Sequence, residues 1–236
     1  MVVAFSITQF LIHGGFFMYL LVICSVVSVA TIILRGWGLR RDSIIPPRIW
    51  SEIEALPPGD NQRAISRLQR LVKEDASPLA RITEVSINHL EWNRSENVEA
   101  VQTRARHEVI RMESGLVVLE VIVGIAPLLG LLGAVSGLVA VFANLGASET
   151  VSDPRGLAKG ISEALNTTIA GLAIAIPSLI AYSYFSKKVE TLSAEMESIL
   201  GEFLAKSYSH TKKRRLDATP AVAPVVDEEP PTPHFQ

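Results

Sequence analysis

Three uninterrupted apolar runs constrain this chain more than any other feature of it. Residues 16–34, 121–145 and 161–185 contain no Asp, Glu, Lys or Arg apart from Glu163, and each is near the ~20 residues that a helix needs to cross a hydrocarbon core. Backbone in lipid must satisfy its own hydrogen bonds, so runs of this length fold as helices. The chain is 48% hydrophobic but only 6% aromatic. Its apolar material is therefore Leu, Ile, Val and Ala, which suits helices in lipid. The sequence reads as an all-α integral membrane protein with three transmembrane helices.

Charge supplies the orientation. No Lys or Arg precedes Arg35, so the first run lacks the basic start of a signal peptide and is expected to stay in the mature protein. Arg35, Arg40 and Arg41 follow the first span, and Lys187 and Lys188 follow the third. The link between the second and third spans sets Arg155 and Lys159 against Glu149 and Asp153. The positive-inside bias then places the N-terminus and this link outside, and residues 36–113 and the C-terminus in the cytoplasm. The single Cys24 lies in the first span, which excludes an intrachain disulfide.

These signals divide the chain into six parts: 1–35 with the first span, a cytoplasmic helical region 36–113, a second transmembrane helix 114–146, an external link 147–159, a third helix 160–210, and a tail 211–236. Pro46, Pro47, Pro57, Pro58 and Gly59 cut the start of the cytoplasmic region into short pieces. Asp60 is expected to cap one helix, and Ser77 followed by Pro78 to start another. No strong breaker follows, and Val98, Val101, Ala105, Val109 and Met112 keep helical spacing, so that second helix is expected to run straight into the second span. Leu192, Met196, Ile199 and Phe203 extend the third helix into the cytoplasm in the same way.

The tail begins with Lys212, Lys213, Arg214 and Arg215, read as reinforcing topology beside the membrane lipid rather than as a nucleic-acid patch. It continues with five prolines and an acidic cluster, a composition expected to stay disordered. The cytoplasmic region carries no Gly-rich phosphate loop, nucleophile elbow or metal-ligand cluster, and His89 and His107 stand alone. No enzyme, cofactor or metal role is expected.

Two rows of small residues mark the helices built for contact. Ala126, Gly130, Gly133, Gly137, Ala140 and Asn144 in the second span, and Ala164, Thr168, Gly171, Ala175, Ser178 and Tyr182 in the third, alternate in steps of four and three. Lipid gives helices no hydrophobic reason to associate, so small residues that admit close backbone approach predict tight packing, within the chain or between subunits. Pro127 and Pro177 free carbonyls that neighbours must satisfy, which also favours a helical assembly.

Polar residues in the apolar runs suggest a second purpose. Glu163 opens the third span, and a charge at such a site usually faces a bundle interior or water. Thr167 and Thr168 follow it, and either hydroxyl could simply bond back to a carbonyl one turn earlier. On the second helix Glu120, Gly124, Pro127, Leu131, Ala134, Leu138 and Val141 share the four-three alternation, which puts Glu120 and Ala134 on one side.

The stretches APLLGLLGAVSGL (126–138) and GISEALNTTIAGLAIAIPSLIAY (160–182) resemble the ExbB/TolQ/MotA proton-channel family, specifically its ExbB/TolQ branch. The resemblance covers all three spans, their order, the long insertion after the first and the short external link. It implies a ring-forming homo-oligomer, a pentamer, in a bacterial inner membrane with a periplasmic N-terminus. The ring would surround a single-span partner like ExbD or TolR, whose membrane Asp carries the proton, and would drive a TonB- or TolA-like protein. By the same resemblance Thr168 matches the pore-facing Thr of the third helix with Thr167 beside it, Glu163 the acidic mouth of the pore, and Glu120 a position that is often acidic. Ala134 stands where a Thr is usual, and Ser136 lies about 200° round the helix from it. A four-span flagellar stator of the MotA type fits less well than three spans do, and a scaffold without ion conduction is the alternative from another class.

Overall fold

The computed structural model describes residues 15–57, 62–147 and 154–217. Within them lie eight helices: α1 (Gly15–Gly38), α2 (Arg41–Ile44), α3 (Pro47–Glu54), α4 (Gln62–Glu74), α5 (Pro78–Asn88), α6 (Arg94–Glu113), α7 (Leu116–Ala147) and α8 (Pro154–Asp217). Three of them, α1, α7 and α8, are long and apolar enough to cross a membrane. The expected Asp60 cap, the centre of the external link and the tail from residue 218 lie outside the described residues.

Helix α8 runs unbroken for 64 residues, about 96 Å at 1.5 Å per residue. A hydrocarbon core is ~30 Å thick, so most of this helix projects out of it. Its first half packs against α7 and α1, and its second half packs against the bundle of α2–α6. It starts at Pro154 and ends at Asp217, so it takes in part of the expected link and the basic segment 212–215 of the expected tail.

The bundle outside the span is held by a conventional apolar core. On α8, Phe185, Val189, Leu192, Met196, Ile199, Leu200, Phe203 and Leu204 are all buried, at the three- and four-residue spacing that keeps them on one face. They meet Ile49 and Ile53 of α3, Leu68 and Val72 of α4, and Leu79 and Ile82 of α5 in one cluster. Truncating a residue like the fully buried Phe203 to Ala costs about 3–5 kcal/mol. Lys206 Nζ donates to the carbonyls of Ile53 and Glu54, satisfying the end of α3. Outside the span, Glu195 grips Arg41 through a hydrogen bond and its charge, and pushes the guanidinium above its ordinary pKa.

Helix α5 starts at Pro78 with Ser77 as its cap, Ser77 Oγ accepting from Ala80 N at 3.2 Å. The expected continuous helix from there to the second span is broken twice. The first break covers residues 89–93, where α5 turns back into α6. No Gly or Pro makes it. Tyr208 of α8 places its hydroxyl within bonding distance of the carbonyls of His89 and Trp92, at 3.2 and 3.1 Å, and Asn97 Nδ2 donates to Ser86 O at 3.0 Å. The turn's free backbone groups are thus satisfied by tertiary partners, which lets the helix end there.

The second break falls at Ser114 and Gly115, between α6 and α7. Ser114 keeps helical dihedrals and donates its backbone N–H to Ile110 O, so the interruption is slight. Arg35, at the end of α1, reaches it: Nη1 donates to Met112 O at 3.3 Å and Nη2 to Ser114 Oγ at 3.2 Å. A Cβ at residue 115 would fall on the Arg35 guanidinium, so glycine makes room for a cation at the C-terminal end of α6.

Buried charge marks one place in the bundle. Glu108, 1% exposed, takes Arg81 Nε at 2.9 Å and Arg81 Nη2 at 2.5 Å, with Arg104 at 3.0 Å and Arg111 at 3.8 Å. This fork-to-carboxylate geometry ties α5 to α6.

Candidate functional site

The helices α7 and α8 touch backbone to backbone. A Cβ on Gly130 would lie 2.8 Å from Thr167 O and 3.1 Å from Thr168 Cα. One on Gly171 would lie 2.5 Å from Ala126 O and 3.2 Å from Gly130 Cα. Neither position admits a side chain while the helices stay where they are. Further along, Gly133 faces the Thr167 side chain and Phe17 Cβ, and Gly137 faces Ala164 Cβ. Ala175 and Ala126 continue the contact and join Met18, Leu21 and Ile122 in a small apolar cluster, so α1 covers one flank of the seam. The rows of small residues therefore meet within one chain.

The two threonines of α8 do different things. Thr167 is 2% exposed and donates to Ala164 O of its own helix at 2.6 Å. Thr168 is half-buried and donates across the seam to Gly130 O at 3.3 Å. A hydroxyl can both donate and accept, so Thr168 presents a rotatable proton donor and two lone pairs at the edge of the seam.

A third hydroxyl site was not singled out as a pair in the sequence. Ser28 of α1 and Ser178 of α8 are both buried, their Oγ atoms 2.6 Å apart, and Ser178 donates onward to Ile174 O at 2.7 Å. Ser28 is then the donor to Ser178. The signal was available as one of three Ser or Thr residues in the first apolar run, Ser25, Ser28 and Thr31, but nothing local to Ser28 names a partner 150 residues away.

At the end of the seam remote from the bundle, Glu163 and Thr167 border a cleft of ≈ 490 Å³ with Phe17, Ser136, Ala140 and Lys159. The Glu163 carboxylate is one third exposed and lies 3.9 Å from Lys159 Nζ. Glu163 and Thr167, one turn apart, share this cleft, whereas Thr168 turns away from it toward the Gly130 carbonyl.

On α7 the residues grouped by spacing do not share one environment. Glu120, Gly124 and Leu131 face outward, Pro127 is half-buried, and Ala134 is turned inward with 6% exposure. Ala134 lies one turn beyond Gly130 and is buried, so it does not share the exposed surroundings of Glu120. Pro127 and Pro177 lie inside unbroken helices. Pro177 is on the exposed side of α8 and takes no part in the seam of this chain. Glu120 at the bundle end of the span and Glu163 at the other bracket stretches in which the sequence holds no further carboxylate. Exposed Leu, Ile and Val side chains on both α7 and α8, such as Leu128, Leu131, Leu165, Ile169 and Leu172, flank the seam.

A protein-family model described as the MotA/TolQ/ExbB proton channel family matches residues 74–198. The chain is 31% identical over 188 residues to an ExbB homolog named for biopolymer transport from Methanothermobacter thermautotrophicus, covering 79% of this chain and 65% of that protein. It is 32% identical over 177 residues to a biopolymer transport protein named ExbB-like 1 from Synechocystis, covering 72% and 67%. A biopolymer transport protein ExbB of Helicobacter pylori is 42% identical over 82 residues, 35% of this chain and 56% of that one. The chain thus spans about two thirds or less of the length of these curated relatives.

Proposed function

The chain belongs to the MotA/TolQ/ExbB proton channel family, and on that premise we propose that it is the ring-forming subunit of a proton-driven motor in a bacterial inner membrane. The ring, a pentamer, encloses a single-span partner resembling ExbD or TolR. The proton-motive force spent there drives a TonB- or TolA-like protein that acts on outer-membrane transport or envelope integrity. In this reading the N-terminus is periplasmic, the bundle of α2–α6 and the far half of α8 are cytoplasmic, and the chain itself is not an enzyme.

One observation carries the reading: Thr168 is held at the edge of a seam too tight for side chains, with its hydroxyl on the Gly130 carbonyl. A carbonyl inside a helix already serves its own backbone ladder, so this hydroxyl can leave it for a better acceptor. A carboxylate on a partner helix is such an acceptor, and a charge-assisted bond is about twice as strong as a neutral one. When that carboxylate is protonated, the same hydroxyl can accept from it. Thr168 thus suits both states of a titrating partner. Glu163, at the remote end with Lys159 beside it, sets the charge at the mouth. With no carboxylate of its own at middle depth, the chain needs the partner's to carry the proton.

The direct test is to reconstitute the chain in proteoliposomes with and without a single-span, Asp-bearing partner and to follow internal pH under an imposed potential. Flux that requires both proteins, and that stops when the partner's Asp becomes Asn, supports the reading. A stable complex that never conducts, even with the driven protein added, sinks it in favour of a scaffold.

A further inference from the structure

The cleft beside Glu163 differs from the rest of the span in what lines it. Glu163 and Lys159 put a carboxylate and an ammonium on its wall, 3.9 Å apart, and Ser136 and Thr167 add hydroxyls. Lys159 is 70% exposed and stands at the open end. Glu163 follows one turn in, and Thr167 one turn deeper. Eight residues of α8 separate Lys159 from Thr167, about 12 Å, a descent of more than a third of a ~30 Å hydrocarbon core.

The cleft ends where the helices close. A Cβ on Gly133 would lie 3.1 Å from Thr167 Oγ1, and one on Gly130 would lie 2.8 Å from Thr167 O. Beyond that contact the apolar cluster of Met18, Ile122 and Ala126 begins. The cleft is therefore blind: charged at its open end and sealed by backbone contact at the other.

Water and a lipid acyl chain are the two occupants available to such a space, and its charges decide between them. A carboxylate and an ammonium against hydrocarbon are costly, so charged groups within a span face water or a bundle interior. Thr167 has committed its proton to Ala164 O but keeps lone pairs that accept from a water above it. A volume of ≈ 490 Å³ has room for on the order of ten waters, and the wall supplies the polar partners that each needs.

We infer that this cleft, enclosed within one protomer by α1, α7 and α8, is filled with water that enters from the outer side and reaches Thr167. Only the choice of outer side rests on the motor reading above. The water stops at the seam, and Thr168 points away from it toward Gly130 O. In that reading each copy in the ring has its own external inlet, separate from the space around the partner helix.

The test uses the full chain in its native membrane. Cys24→Ser removes the only cysteine. Single cysteines are then placed by Ser136→Cys and Ala140→Cys, both exposed and lining the cleft, and by Val139→Cys, 63% exposed on another face of α7. Thiols react as thiolates, which form in water and not in lipid. A membrane-impermeant trimethylammonium methanethiosulfonate is applied to spheroplasts and to inverted vesicles. The two cleft positions are expected to react from the outer face at least tenfold faster than Val139→Cys. Ala140→Phe should fill the cleft and bring the Ser136→Cys rate down to that control. Rates no faster than the control, reaction only from the cytoplasmic face, or a Ser136→Cys rate unchanged by Ala140→Phe would each overturn the proposal. Partner-dependent proton flux without labelling would remove the inlet and keep the motor, whereas labelling without flux would keep the inlet and remove the motor.

Discussion

Thr168 Oγ1 donates to the Gly130 carbonyl of the neighbouring helix at 3.3 Å, while Thr167, one residue earlier, spends its hydroxyl on its own helix at 2.6 Å. Two adjacent residues of one type thus hold opposite positions: one is committed and one is exchangeable. Thr168→Val is expected to reduce partner-dependent proton flux by roughly 10²-fold, the low end of what a positioned proton-handling group contributes. Thr168→Ser should keep most of the flux. Thr167→Val should leave flux largely intact and lower thermal stability instead. Internal pH in proteoliposomes, normalised to assembled complex, separates these outcomes.

The glycines of the seam should differ in a graded way. At Gly171 an added methyl meets the Ala126 carbonyl at 2.5 Å and the Gly130 backbone, neither of which can give. At Gly133 it meets the Thr167 side chain at 3.1 Å and Phe17 Cβ at 3.2 Å, which can shift. At Gly124 it meets nothing within 4 Å. Overpacking costs about 1–3 kcal/mol, so Gly171→Ala should lie at the top of that range and Gly133→Ala near the bottom, while Gly124→Ala, which meets no obstacle, should be neutral or stabilising by up to ~1 kcal/mol. Unfolding midpoints in a common detergent would order the three, and a reversed order would reject the packing account.

Gly115 and Arg35 should show interaction of opposite sign. Gly115→Ala forces the guanidinium off Met112 O and Ser114 Oγ, and is expected to destabilise. In an Arg35→Ala background the same change meets no obstacle and gains up to ~1 kcal/mol of helix propensity. A thermal-shift double-mutant cycle reads this directly. Additive effects would show that the arginine is not what glycine makes room for.

The buried Glu108 is the charge whose loss should cost most. Glu108→Gln leaves Arg81 and Arg104 facing a neutral amide in a site only 1% exposed. Arg81 and Arg104 are 26% and 36% exposed and can turn to water, so the loss is expected at about 1–3 kcal/mol. The Lys187–Glu190 pair, with both side chains about 70% exposed, should contribute within about 0.5 kcal/mol. Chemical denaturation of the purified chain would compare Glu108→Gln with Glu190→Gln.

Arg41 gives a prediction about pH with a definite sign. Its pKa is raised in the folded state, first by the hydrogen bond to Glu195 and then by that residue's charge. A raised basic pKa contributes stability that is fully present below the unfolded value and is lost only as pH climbs through the folded one. Titration of Arg41 should therefore add no slope to stability near neutrality and begin to tell only in strong alkali. An Arg41→Gln variant should show the same pH dependence as the native chain across the neutral range, and a changed slope there would refute this.

Much of the architecture can be read from the sequence because lipid imposes it. Three apolar runs, charged only at Glu163 near the start of the third, must form helices to satisfy their backbone in lipid, and α1, α7 and α8 occupy them. The stripe from Leu192 to Phe203 is equally legible, since a period of three and four continues past Lys187 and Lys188 without a breaker. Where the chain turns without Gly or Pro the local signal is missing: the break at 89–93 is held by Tyr208, more than a hundred residues away. Asn93 followed by Glu96 offers a weak helix start there, but Asn93 makes no side-chain cap. Spacing places Gly130 and Gly171 on contact faces and leaves open what they touch. Spacing alone also grouped Ala134 with Glu120, which are nearly four turns apart, a distance over which a period-3.5 template drifts by about 40° against a 3.6-residue helix.

Helix α8 is one continuous rod from the Gly130–Gly171 seam to the bundle. Gly171 and Tyr208 are 37 residues apart on it, about 55 Å. Pro177 lies between them without breaking the helix, and the rod is a lever whose fulcrum is the point of closest backbone approach. A tilt of only about 5° at that fulcrum swings the Tyr208 end through roughly 5 Å, about the height of one helical turn. Tyr208 holds the α5–α6 turn, so a movement of the seam too small to open a gap in the span is magnified into a displacement large enough to change which groups bond at the far end.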